Sequence, residues 1–231
     1  VIKINNDETI NEEQNSTEAE PDNQLSDEQV EQMMEQAQKN EEKARTEGLI
    51  NAELDKFISY SDRIIYVEGE IEIFTPAYIR RRIEAIAKMT NDVTTPITLS
   101  ISSYGGDVYA GLAVCDIINS APMPINTIGY GPVMSAAGFI LVSGTGTRKI
   151  TQNSHIMIHD IFGMIKGRSQ DMFTETDHWK KLQDRCYKLF AARTKKTVAF
   201  WKKKSKSTYY LTAEDAIELG IIDEVLTKWQ I

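Results

Sequence analysis

The chain has 231 residues, 26 Lys plus Arg against 34 Asp plus Glu, and 41% hydrophobic residues, enough to bury one large core or two small ones. Its longest apolar run, Ala136 to Val142, is far short of the roughly 20 residues that span a bilayer, and no basic-then-apolar leader opens the chain, so neither a membrane nor a secreted protein is expected. Two cysteines, Cys115 and Cys186, are too few for a disulfide framework, which points to a reducing, cytoplasmic setting with both thiols buried as small hydrophobes.

Charge divides the chain in two. Residues 1–50 hold 14 acidic and 4 basic residues, a net of −10, while the remaining 20 acidic and 22 basic residues give the body a net of +2. A nearly neutral body offers no electrostatic footing for nucleic acid, and none is expected as a partner. Residues 1–24 carry almost no large apolar side chain after Ile10, so they cannot bury enough surface to offset the entropy of ordering and are expected to be disordered. From Ser26 the pattern turns helical: Ser26 and Gln29 form a capping-box pair, and Val30, Met33, Met34 and Ala37 recur on one face before Gly48. That narrow, methionine-rich stripe either docks on the body or a sister subunit or serves as a partner-binding arm. Residues 1–50 are thus read as an acidic tail with one amphipathic helix, and 51–231 as the globular domain.

The body alternates strand and helix. Arg63 to Val67 is a β-branched run, Pro76 to Met89 has helical periodicity with Pro near its start, and Ile97 to Ile101 is a second strand, followed by a Gly105-Gly106 turn. A helix over about Val108 to Ser120, a strand at Ile125 to Tyr130, a helix from Ser135 to Ser143 and a strand at Ile156 to His159 come next. A long helical stretch spans about Ser169 to Arg193, then a second helix and a strand near Ile222 to Leu226. Short connections between alternating elements imply an α/β domain with a largely parallel sheet.

Ser135, in Gly129-Tyr130-Gly131-Pro132-Val133-Met134-Ser135-Ala136-Ala137-Gly138, sits between an apolar strand and an apolar helix. Unpaired backbone N–H groups and the helix dipole favour negative charge there, and small neighbours leave room for a substrate carbonyl. Spacing alone leaves two readings open, a helix cap and a nucleophile. A serine nucleophile needs a base, and the chain has three histidines: His155, His159 and His178. His178 falls on a polar helix and is expected in solvent. His155 and His159 share a strand face at about 13 Å, too far apart for one metal ion, and His159 at the strand end is the better-placed base. The lysines at 195, 196, 202, 203, 204 and 206, interleaved with Phe200, Trp201, Tyr209 and Tyr210, read as a solvated face.

Four stretches in order resemble ClpP, the proteolytic subunit of the Clp protease: Ile101 to Val108 (ISSYGGDV), the Gly-x-x-x-Ser segment ending at Ser135, Asn153 to His159 (NSHIMIH), and Leu211 to Asp223 (LTAEDAIELGIID). The resemblance covers about residues 60 to 228. It implies a crotonase-like spiral of β-β-α units with a protruding strand-helix handle near 163–193, in serine peptidases that stack heptameric rings into a double ring. Matched residue by residue, it implies Ser135 as nucleophile, His159 as general base, and the Gly106 and Ala136 backbone N–H groups as oxyanion hole. An acyl-CoA enzyme of the wider crotonase fold would need an acid or base where Ser135 stands.

Two departures mark a divergent member. The family's catalytic aspartate falls at Thr208, whose hydroxyl can accept a hydrogen bond but carries no charge to stabilise an imidazolium. Three outcomes stay open: a carboxylate from Asp160, Asp177 or Asp184 reaches His159, a weak Ser-His-Thr arrangement suffices, or the subunit is an inactive structural or regulatory member of its ring. The acidic tail also replaces the compact apolar segment through which the family couples to an ATP-dependent unfoldase, and that partnership is weighed against this change. No cofactor or metal is expected, and no phosphate-cradling glycine loop followed by Lys and Ser/Thr is present, so any ATP belongs to a partner.

Overall fold

The computed structural model describes residues 26–57 and 62–228, and the chain divides into two compact units, Val1–Phe57 and Ile58–Ile231. The stretch 1–24 expected to be disordered lies outside the described residues. In the first unit, α1 covers Asp27–Phe57. Its start is the expected capping box: Ser26 N–H donates to Gln29 Oε1 at 3.0 Å and Gln29 N–H to Ser26 Oγ at 3.2 Å. Lys39 pairs with Glu35 one turn earlier at 2.7 Å. The helix runs past Gly48, where the sequence pattern placed its end. One interior glycine costs only about 1 kcal/mol relative to alanine, and the residues after it include the good helix formers Leu, Ala, Glu and Lys.

The second unit contains β1 (Ile64–Ile71), α2 (Thr75–Thr90), β2 (Ile97–Gly106), α3 (Val108–Ser120), β3 (Ile125–Met134), α4 (Ala136–Val142), β4 (Arg148–Thr151), β5 (His155–Ile158), α5 (Ser169–Arg193), α6 (Val198–Lys204), β6 (Tyr209–Leu211), α7 (Ala213–Leu219) and β7 (Glu224–Leu226). The sheet order is β1-β2-β3-β4-β7, with β5 on β3 and β6 on β5. Every pairing is parallel except β5 with β6, as the alternation of strand and helix required.

Strand β3 carries the feature that creates the site. Its first half, Thr127 to Gly129, pairs with β4, and its second half, Pro132 to Met134, pairs with β5. Between them the register against β2 slips from Ile101↔Gly129 to Ser103↔Val133. Gly131, at φ +61°, takes the left-handed backbone this bulge contains. The bulge therefore redirects the end of β3 toward β5.

Helix α4 begins at the next residue but one and is buried along its whole length. Phe139 meets Phe190 of α5 edge-on at 5.5 Å between centroids, and Phe190 meets the fully buried Trp201 of α6 at 4.9 Å. Helix α2 turns Ile79, Ile83 and Ile86 inward at helical spacing. Before α5, residues 159–168 adopt neither helix nor strand, so of the strand and helix that the resemblance put in the handle, α5 is the element present within this chain. Both cysteines are buried, Cys115 at 1% exposure and Cys186 at 2%, and burial pushes both thiols up to about 12.

Candidate active site

Ser135 is the hinge between β3 and α4, and its backbone is held at φ 52°, ψ −119°. A non-glycine residue in such a conformation costs on the order of 1–3 kcal/mol and persists only where the surroundings fix it. They do so here: its N–H donates to Met157 O of β5 at 2.7 Å, and its carbonyl accepts from Gly138 N at 3.0 Å. Asp107, Thr197 and Thr212 each cap their helices with a side-chain oxygen, whereas the Ser135 hydroxyl makes no capping bond to α4. Its partner is His159 Nε2, at 2.9 Å.

Space for the hinge comes from glycine. A β-carbon on Gly105, at φ +102°, would stand 2.7 Å from both Met134 O and Ser135 Cβ, and one on Gly106, at φ +149°, would run into the Ile71 backbone. These glycines are the end of β2, paired with Glu70 and Ile71 of β1, rather than a turn beyond a strand ending at Ile101. Their missing side chains allow β2 to pass directly beneath Ser135 and Ala136. The Ala136 N–H, first in α4, has no intrahelical acceptor.

His159 directly succeeds the last residue of β5. In the antiparallel pairing of β5 with β6, Ile156, Met157 and Ile158 face Leu211, Tyr210 and Tyr209. His159 and Thr208 each lie one residue beyond the last pair, Ile158↔Tyr209, and the next bond between the two segments, Asp160 N–H to Ser205 O, no longer keeps that register. Thr208 is exposed, and among the described residues no hydrogen bond joins it to the imidazole. None of the three candidate carboxylates bonds to His159 either. Asp160 Oδ1 accepts the Tyr187 hydroxyl at 2.6 Å and its N–H donates to Ser205 O at 2.9 Å, Asp177 pairs with Lys180 at 2.8 Å, and Asp184 lies exposed on α5. Of the other histidines, His155 is exposed and bonds Asn153 O at 3.2 Å. His178 is not simply solvated as its helix suggested: Tyr109 Oη lies 2.8 Å from its Nε2, with the rings stacked at 6.1 Å.

A cleft of about 390 Å³ opens beside the pair, and Gly106, Ser135, Ala136 and His159 all border it. Its other walls include Phe139, Trp179 and Leu182, contributed by α4 and α5. Sequence reasoning did not find Tyr187 or Trp179, because each reaches the site only through the packing of α5. Gly163 lies against the far edge of the Trp179 indole, a contact that leaves no local mark in the sequence.

The profile of the Clp protease family matches residues 54–229. The chain belongs to that family. It is also 30% identical over 168 residues, 72% of this chain and 75% of the other, to an ATP-dependent Clp protease proteolytic subunit of Porphyromonas gingivalis (strain ATCC BAA-308 / W83). This Clp protease chain therefore carries the fold and the peptidase class of hydrolase that the four motifs implied. Among its described residues no helix is long and apolar enough to cross a membrane, and no group of three or more His, Cys, Asp or Glu side chains is placed to hold a metal ion.

Proposed function

We propose that the chain is a serine-type endopeptidase subunit that cleaves unfolded or short polypeptides inside a closed homo-oligomeric chamber. The observation that carries this reading is the 2.9 Å hydrogen bond between Ser135 Oγ and His159 Nε2 in a strained hinge whose hydroxyl does no capping. With the ring proton on Nδ1, His159 takes the serine proton at Nε2 as Oγ attacks the peptide carbonyl. The Gly106 and Ala136 N–H groups receive the carbonyl oxygen as it becomes an oxyanion. His159 then returns the proton to the departing amine, leaving an acyl group on Ser135, and a water activated by the same imidazole releases it.

Thr208 orients His159 at most. A hydroxyl supplies no charge to the imidazolium, and where such an aspartate is replaced in a serine protease, turnover falls on the order of 10⁴-fold with substantial catalysis left over water. A second reading, a catalytically weak or inactive structural subunit, is favoured by one observation: among the described residues no carboxylate accepts a hydrogen bond from His159. The peptidase reading extends to a cytoplasmic heptameric ring or double ring, and the words ATP-dependent in the relative's name support a separate ATP-using partner, for which an unfoldase is the candidate. The test is cleavage of unfolded casein and of fluorogenic peptides by the purified oligomer. Wild type is expected to cleave both, with Ser135→Ala and His159→Ala each lowering the rate at least about 10³-fold. Equal rates in wild type and Ser135→Ala would overturn the assignment.

A further inference from the structure

The charge of the cleft is as one-sided as its walls are apolar. Its bordering residues include two carboxylates, Asp107 and Asp160, and no lysine or arginine. Some carboxylates elsewhere in this unit pair with cations, Glu84 with Arg80, Asp223 with Arg148, Glu224 with Lys149 and Asp171 with Arg168. The two in the cleft have no ion-pair partner among the described residues.

Both are held in place by a neutral donor to one oxygen. Asp107 Oδ1 accepts from Ala110 N at 2.7 Å, and Asp160 Oδ1 from the buried Tyr187 hydroxyl at 2.6 Å. The second oxygen of each is left without a protein donor among the described residues. Asp160 is half-buried and borders the same cleft as Ser135 and His159, so its charge faces the space a substrate would occupy and is partly shielded from water. The surrounding walls, Phe139, Trp179 and Leu182, suit an unbranched apolar stem.

We infer that the cleft selects peptides with a lysine or arginine side chain next to the attacked carbonyl, the alkyl stem lying along the apolar wall and the cationic head reaching Asp160, with Asp107 adding to the field. This rests on the peptidase reading above. The same charge repels a glutamate or aspartate at that position, so selectivity has an attractive and a repulsive part.

The experiment compares matched fluorogenic peptides that differ only in Lys, Leu or Glu at that position, in wild type, Asp160→Asn and Asp107→Asn. Asparagine keeps an oxygen for the Tyr187 and Ala110 donors, so each variant removes charge while leaving those bonds possible. Wild type is expected to favour Lys over Leu by about 10-fold in kcat/KM and to cut the Glu peptide least. Asp160→Asn is expected to bring the Lys-to-Leu ratio close to one, and Asp107→Asn to lower it less. A wild-type ratio of one or below, or a ratio unmoved in Asp160→Asn, overturns the inference. Fluorescence anisotropy of the same labelled peptides on Ser135→Ala reads selection without chemistry. Tighter binding of the Lys peptide there, with no turnover by wild type, sustains the inference and removes the peptidase reading; turnover without Lys preference does the opposite.

Discussion

At the approach to β6, Thr208 stands at the sequence position where the family resemblance places an aspartate. The three pairings between β5 and β6 end at Ile158↔Tyr209, one residue short of His159 and of Thr208, so the ladder brings the two positions near each other without pairing them. An aspartate at 208 would accept the Nδ1 proton's hydrogen bond and stabilise the imidazolium electrostatically. Thr208→Asp is therefore expected to raise kcat on a peptide substrate at least about 10-fold, with about 10⁴-fold as the ceiling that the aspartate's worth in serine proteases sets. A rate unchanged or lowered by this substitution would mean that Thr208 does not stand within reach of the imidazole. Asp160 offers no substitute, because no hydrogen bond joins it to His159 among the described residues and its Oδ1 accepts the Tyr187 hydroxyl instead.

Among the elements, β4 and β7 pair at the end of the sheet and are joined by two ion pairs, Arg148 with Asp223 and Lys149 with Glu224. Arg148 donates to Asp223 Oδ1 at 2.6 Å and to Oδ2 through Nε at 3.2 Å, and its other guanidinium nitrogen reaches the Arg193 and Gly220 carbonyls. Partial burial pulls the Asp223 carboxyl up, but the Arg148 hydrogen bonds and charge outweigh it and hold the group below its ordinary value. A carboxyl lowered in this way contributes stability above its unfolded value of about 3.9 and loses it as pH falls through the lowered folded value. The Asp223 side chain is 42% exposed, so solvent screening limits the contribution to about 1 kcal/mol. Denaturant unfolding is expected to show wild type more stable than Asp223→Asn by that amount at pH 7. The gap closes as pH falls below about 4; a gap that stays constant to pH 2 would contradict the assignment.

Legibility in the sequence tracked the range of the interactions. Ser135 and His159 could be picked out because each lies where an apolar strand ends, and α5 could be bounded at about Ser169 and Arg193 because a long helix-forming stretch follows Gly163 and Gly167. The end of β2 was missed because Gly105 and Gly106 read locally as a turn, while their pairing with β1 keeps them in the sheet. Strand β6 is three residues long, too short to carry a period, yet its pairing with β5 runs up to the residue before His159. The Tyr187 bond to Asp160 joins residues 27 apart and has no local signature.

At the scale of the whole molecule, the family match begins at residue 54, close to the boundary at Phe57 between the two compact units. The second unit alone supplies every residue of the candidate site, from Gly106 on β2 to Thr208 before β6. Within it the β3 bulge turns the strand toward β5, α4 is buried behind the hinge, and the Phe139, Phe190 and Trp201 contacts fix α4 against α5 and α6. The strain at Ser135 is thus held by the core rather than by a loop. On the proposed peptidase function, Ser135 is an activated nucleophile even without a charged third member. Labelling of the purified protein with a fluorophosphonate probe tests it most directly, because the probe reports serine nucleophilicity independently of substrate preference. The account predicts a labelled wild type and an unlabelled Ser135→Ala. An unlabelled wild type, or label persisting at equal intensity in Ser135→Ala, would contradict it.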